Sequence, residues 1–264
     1  VPKSVVATCS SHSFKAFLAT DRDRLHIQPP DMIEYNDRIF HSLVDRGQAL
    51  RLEDMSFDSC TFFNCSISRT KERDRRSTVR NVRLRNCEAN ACNVGPAILE
   101  DIEIDGLSTG DLLIIWAATF KHVTLRGDIG KIKINQQAHF VDRTAAVQQP
   151  FDDDRVKLYG SIDWALDISR ARFAGFDARG IPARLFRIDP ESQAVVTRAR
   201  ALQEGWREAL SPSNTLWPFM IRQLLAAGDE DVVLVTPLNA PKQRRDDLLH
   251  GLQELRRLGV AEPA

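Results

Sequence analysis

The sequence predicts a mainly β solenoid, wound from short parallel turns and closed at its C-terminal end by helices. Three observations predict it. An apolar or small residue falls on every fifth position from Val82 through Cys87, Cys92, Ala97, Ile102, Leu107 and Leu112 to Ala117. A second series follows two residues behind each: Leu84, Ala89, Val94, Leu99, Ile104, Thr109, Ile114 and Thr119. The last third of the chain then changes to intervals of three and four. A helix repeats at about 3.6 residues and a strand at 2, so neither sustains a beat of five. A coil of four five-residue sides does, and side chains one coil apart then stack.

The elements follow in chain order. Residues 1–48 are expected to cap the first coil. Asp31 to Val44 reads as a helix with Ile33, Ile39, Phe40 and Leu43 inward, opened by Pro29-Pro30. The solenoid is placed at residues 49–190. It enters with Leu50 and Leu52, Met55 and Phe57, Cys60 and Phe62, and Cys65 and Ile67. A charged insertion at 69–77 interrupts it. The beat is expected to slip by one residue after Thr119 and to resume at Val123 and Leu125, then at Ile132 and Ile134. Val82 should therefore stack on Ile102 and then on Val123, and Cys92 on Leu112 and then on Ile132. Residues 138–155, rich in Gln and Asp, read as a loop. Val156 to Ile188 reads as one further irregular coil.

Residues 191–264 are expected to be a helical cap region. Val195, Ala199, Leu202, Trp206 and Leu210 form a helical stripe. A second helix runs from Leu216 to Ala227, with Pro218 in its first turn and Gly228 at its end. Val232 to Val235 reads as a buried strand. Leu248, Leu252, Leu255 and Leu258 stripe a last helix, with Arg256 and Arg257 in its final turn and Gly259 closing it.

Within the beat, Cys60-Thr61-Phe62-Phe63-Asn64, Cys65-Ser66-Ile67-Ser68-Arg69, Cys87 to Ala91 and Cys92 to Pro96 place a small residue two positions before a central apolar one. In this the chain resembles the pentapeptide-repeat family, over roughly a third of its length. The resemblance implies a right-handed quadrilateral parallel β-helix. The insertion and slips mark a degenerate relative. The other fold that suits short strands of this kind is a β-sandwich.

Composition narrows the function. The 264 residues hold 36 Lys+Arg against 36 Asp+Glu, a net charge of zero. Whole-molecule attraction to nucleic acid or acidic lipid is not expected, and no apolar run approaches the length of a membrane span. Among the five cysteines, four sit on the beat and read as reduced core residues of a cytoplasmic protein. Cys60, Cys65, Cys87 and Cys92 form two Cys-x4-Cys pairs, but the repeat itself sets that spacing, so no metal is assigned. No cofactor motif is present. The opening Val1-Pro2-Lys3 fits a trimmed chain or a domain of a longer one.

Outward positions carry the candidate sites. Leu113, Ile115 and Trp116 are expected to face outward, either under the C-terminal helices or as a partner-binding face with Trp116 as anchor. Eight basic residues between Arg69 and Arg85 stand against Glu72 and Asp74 alone. Arg73, Arg75 and Arg76 at their centre are candidates for gripping an acidic protein surface. Any nucleic-acid contact would have to use the same stretch. Asp152, Asp153 and Asp154, with Asp163 and Asp167, form the densest carboxylate cluster. Asp152, Asp154 and Asp163 are its alternative catalytic acids, for a saccharide- or nucleotide-acting enzyme. The leading expectation is a non-catalytic solenoid that binds a protein, of inhibitor or immunity type. A structural domain within a longer chain is the third reading.

Overall fold

The computed structural model describes residues 32–139 and 141–262. Cys9, His12, His26 and the Pro29-Pro30 pair lie outside the described residues. The fold is mainly β, with one large parallel sheet and a few helices. Eleven strands build that sheet. They are β1 (Ile33–Asn36), β2 (Ile39–His41), β3 (Arg51–Asp58), β4 (Thr61–Phe63), β5 (Ser66–Ile67), β6 (Thr78–Asn90), β7 (Asn93–Val94), β8 (Ile98–Trp116), β9 (Thr119–Asn135), β10 (Leu166–Ala178) and β11 (Phe186–Arg187).

Register turns the sequence beat into columns. Ile33 pairs with Met55, Met55 with Val82, Val82 with Ile102, Ile102 with Val123, Val123 with Leu166 and Leu166 with Phe186. The stacking expected of Val82, Ile102 and Val123 is therefore present. Leu84 pairs with Ile104, and both pack against the main core. Burying each such aliphatic side chain contributes about 1.5–3 kcal/mol. The residue just before many of the inward positions lies in the left-handed region: Asn81 (φ 49°), Asn86 (φ 50°), Ala91 (φ 51°), Asp101 (φ 52°), Gly106 (φ 77°) and His122 (φ 54°); Gly127 (φ 71°) stands two residues before buried Ile129. Left-handed residues bend a strand, so β6, β8 and β9 are bent several times rather than straight.

Four expectations are corrected. The helix expected over Asp31–Val44 is not formed in its described part, residues 32–44; Ile33–Asn36 and Ile39–His41 are strands. Ile33 and Tyr35 alternate inward at period 2, and left-handed Asp37 and Ser42 interrupt any helical turn. The register slip comes earlier than Thr119. Ala89 pairs with Thr109, an offset of 20 residues, whereas Asn93 pairs with Ile114, an offset of 21. One residue is thus inserted between Thr109 and Ile114. A one-residue shift turns every side chain on that side over. Leu113, not Leu112, therefore pairs with Ile132.

The segment 138–155 is not a loop throughout, because Ala145–Tyr159 forms helix α1. The stripe from Val195 to Leu210 is not one helix either. Gln193–Thr197 is strand β12, Arg198–Ala201 a single-turn helix α2, and Leu202 is exposed. Val195-Val196-Thr197 is β-branched, and β12 finds an antiparallel partner in β13 (Asp231–Val235).

The remaining C-terminal expectations hold. Leu216–Ala227 is helix α3, with Pro218 in its first turn and Gly228 left-handed at φ 76°. Lys242–Arg257 is helix α4. The Trp217 indole N–H donates to the Leu248 carbonyl at 2.9 Å and ties α3 to α4. Alternate residues of β13 serve two cores. Val232 and Leu234 pack with α3 and α4, while Val233 and Val235 join the main sheet core. The Gln193 amide donates to the Ile168 carbonyl at 3.0 Å and the Asn239 amide to that of Arg172 at 2.8 Å. The C-terminal unit is thereby fastened to β10.

A candidate binding groove

The slip decides which residues reach the surface. Leu113 and Ile115, expected outward, are each 8% exposed and belong to the main core. Leu112 is 44% exposed instead, and Ile114 and Trp116 are half-buried. Leu112, Ile114 and Trp116 form an apolar row at alternate positions of β8. With Asn93, Gly95 and Pro96 beside them, they line a surface groove of about 690 Å³. Ala138 and His139 line it too, with Arg46, Arg69, Thr70 and Lys71. Among the described residues none beyond His139 takes part, so the C-terminal helices do not line this groove. Gly95 is required there, because a Cβ would stand 2.0 Å from the Ser68 carbonyl oxygen.

Buried polar bonds position the cationic residues. Asp45 is fully buried. Its carboxylate accepts the backbone N–H groups of Gln48 and Ser68, each at 2.9 Å, and the Ser77 hydroxyl. Its carbonyl accepts the Arg69 N–H at 2.9 Å. Arg46 and Arg69 thus flank residues locked by a single carboxylate. Neither side chain makes an ion pair or hydrogen bond among the described residues. Lys71 is matched by Asp142 at 3.0 Å. The His139 Nδ1 accepts the N–H groups of Val141 at 3.2 Å and Asp142 at 3.0 Å, which leaves the proton on Nε2. Among the described residues three cations and no carboxylate line the groove, in a chain whose net charge is zero.

No protein-family model, no curated protein and no solved structure matches this chain.

The other candidate residues are occupied by one another. Arg76, its side chain 9% exposed, pairs with Asp154 and lies 5.6 Å from the centre of the Phe151 ring. Arg73 reaches the same carboxylate at 3.2 Å and Asp74 at 2.7 Å. Arg75 donates to the Gly47 carbonyl at 2.9 Å. The basic insertion and the acidic helix α1, read separately in the sequence, are partners. Farther on, Arg80 pairs with Glu100 at 2.6 Å, which also takes Lys121 at 2.5 Å. These bonds, that to Lys121 first, hold the Glu100 carboxyl below its usual value.

Asp152, Asp154 and Asp163 share no partner. Asp152 accepts from Arg155 at 2.6 Å and from Gln148 at 2.7 Å. Asp163 pairs with His122 at 2.9 Å, across from Asp101 at 3.3 Å. The hydrogen bond from His122 lowers the Asp163 carboxyl.

The repeat cysteines point at backbone. Cys60 donates to the Tyr35 carbonyl, Cys65 to Phe40, Cys87 to Phe57 and Cys92 to Phe62, at 3.4–3.5 Å. All four are free thiols, and no cluster of three metal-ligating side chains occurs among the described residues. Cys92 borders the groove. The Cys65 thiol beside it lowers the Cys92 thiol to about 7 and is itself raised.

Sequence reasoning missed Leu112, Ile114, Arg46 and His139. A signal for the first two was present. Five consecutive large apolar residues, Leu112 to Trp116, cannot all turn inward on a strand, so an apolar outer row follows in either register.

Proposed function

We propose that this protein is a non-catalytic binding protein that holds another protein on the groove beside β8. In this reading the bent parallel strands are the sides of a right-handed quadrilateral β-helix, similar to the pentapeptide-repeat proteins, and the left-handed residues are its corners. Offsets of 20 residues between β6 and β8, and of 19 to 22 between β8 and β9 across two register shifts, support four sides of about five. A rigid scaffold of this kind lowers the ordering cost of binding.

The observation that carries the reading is the apolar row of exposed Leu112 and half-buried Ile114 and Trp116, lining a groove flanked by cations. Single exposed apolar residues are ordinary, but a contiguous row in a concavity marks an interaction site. We place the protein in the cytoplasm, on the four free cysteines among the described residues, and assign it an inhibitor or immunity-type role. No helix among the described residues is long and apolar enough to cross a membrane. Phosphate polymers are the poorer fit, since they would have to displace Asp154, Glu100 and Asp58 from the arginines between Arg73 and Arg85.

A photo-crosslinking residue tests this. It is placed at Leu112 in one full-length protein and at Arg83, on the charged outer face, in another. The Leu112 probe is expected to give one discrete protein adduct in native lysate and the Arg83 probe none. Absence of an adduct at Leu112, or the same adducts from both positions, rejects the reading.

A further inference from the structure

We propose that the groove takes an acidic, extended protein segment bearing a large apolar side chain. The inference rests on the reading of this face as a protein-binding face and specifies the partner's chemistry.

Charge comes first. Most of the arginines near the sheet face are answered by carboxylates one strand away, as Arg80 is by Glu100, Arg85 by Asp58 and Arg126 by Asp105. Arg46 and Arg69 depart from that pattern. Both line the groove, and neither has a side-chain ion pair or hydrogen bond among the described residues. A guanidinium beside an apolar floor favours a carboxylate that can take its planar fork in two parallel bonds. Exclusion of water by the partner strengthens that attraction.

Placement comes second. Arg46 and Arg69 adjoin Asp45 and Ser68, whose backbone is pinned by the buried Asp45 carboxylate. The two cations are therefore carried on fixed chain, which lowers the entropic cost of engaging a ligand.

Shape comes third. Leu112, Ile114 and Trp116 occupy alternate positions of one strand, about 6.6–7 Å apart along it. An extended segment repeats its own side chains at the same interval, so it covers the row with side chains of one face. The Asn93 amide and the protonated Nε2 of His139 add neutral donors for its backbone carbonyls. A phosphate polymer would use the arginines and leave the apolar row wet; an acidic segment with an apolar anchor uses both.

Fluorescence anisotropy on the full chain tests the proposal with three labelled short peptide pools and a single-stranded oligonucleotide. In the first pool Glu alternates with Leu, Phe or Trp; in the second Lys replaces Glu; in the third Ser replaces the apolar residues. The first pool is expected to bind at least about tenfold more tightly than the others, and more weakly as salt rises. Arg46→Glu/Arg69→Glu and, separately, Leu112→Ser/Ile114→Ser should each weaken it by about tenfold or more. Arg46→Gln/Arg69→Gln serves if the double Glu variant shifts the thermal midpoint. Equal binding of the Lys pool, the Ser pool or the oligonucleotide overturns the proposal, as does unchanged affinity in either variant. A protein adduct at Leu112 without binding of the acidic pool would retain the binding face and discard this chemistry. Binding of the acidic pool with no adduct at Leu112 would support this chemistry and discard the stated cellular role.

Discussion

Among single residues, the cysteines separate most sharply. Cys60, Cys65, Cys87 and Cys92 occupy equivalent places in their fives and aim their sulfurs at equivalent carbonyls, yet their chemistry differs. Burial raises the Cys60 thiol and pushes that of Cys87 up to about 11. Cys92 is half-buried at the groove, and a bond from the Cys65 thiol brings it to about 7. The thiolate is the nucleophile, so its fraction at Cys92 grows as pH rises through about 7, while Cys60 and Cys87 stay protonated. Native alkylation with iodoacetamide just above that pH should therefore label Cys92 first among the four described cysteines and leave Cys60 and Cys87 unmodified until the chain unfolds. Mass mapping of the digested protein reads this directly. Equal labelling of Cys87 and Cys92 would show that the groove does not expose Cys92 as described. Occupation of the groove by a peptide should slow the Cys92 reaction.

For the elements, what could be read from sequence depended on period. The columns through Val82, Ile102 and Val123 were legible because a beat of five has few structural solutions. The helices around Ile221 and Leu252 were legible because their apolar spacing is long and clean. Helix α1 was not. Its hydrophobic face is reduced to Phe151, Tyr159 and half-buried Val147 and Leu158, and Pro150 sits inside it. Its stability comes from docking: Phe151 packs on Ala117 and Ala138, and Asp154 meets Arg73 and Arg76. The groove was half legible. The apolar run marked the place, but the one-residue insertion between Thr109 and Ile114 decided which residues faced out, and within the run Leu112 to Trp116 either register puts an apolar residue inward, so the pattern does not choose between them. Docking also predicts how α1 fails. Phe151→Ala should remove about 3–5 kcal/mol from its attachment. Hydrogen exchange should then show lost protection across Ala145–Tyr159, with protection in β8 and β9 retained. Loss of protection in the strands as well would show that α1 is an integral part of the sheet core.

At the scale of the molecule, two cores share a strand pair, β12 and β13. The main core runs the length of the parallel columns, and the second lies among α3, α4 and β12–β13. β13 contributes Val233 and Val235 to the first and Val232 and Leu234 to the second. A parallel stack must also cover its last rung, where Phe173 and Leu185 are fully buried. The C-terminal unit performs that covering, through β13 and the bonds from Gln193 and Asn239. Shared burial of this kind couples the two cores, so they should unfold together. Leu252 is fully buried in the second core alone, and Val233 is buried in the first. Leu252→Ala should cost about 2–5 kcal/mol. If β13 couples the cores, that loss lowers the midpoint of a single transition, seen alike by near-UV signals from Trp206 and Trp217 in the second core and by exchange protection in β8. If the cores were independent, the tryptophan signal would melt first and the strands would keep their protection. Val233→Ala removes less apolar surface, and it should shift the same single midpoint by a smaller amount. Two resolved transitions in either variant would show that the C-terminal unit is an attached domain and that the parallel sheet withstands exposure of its last rung.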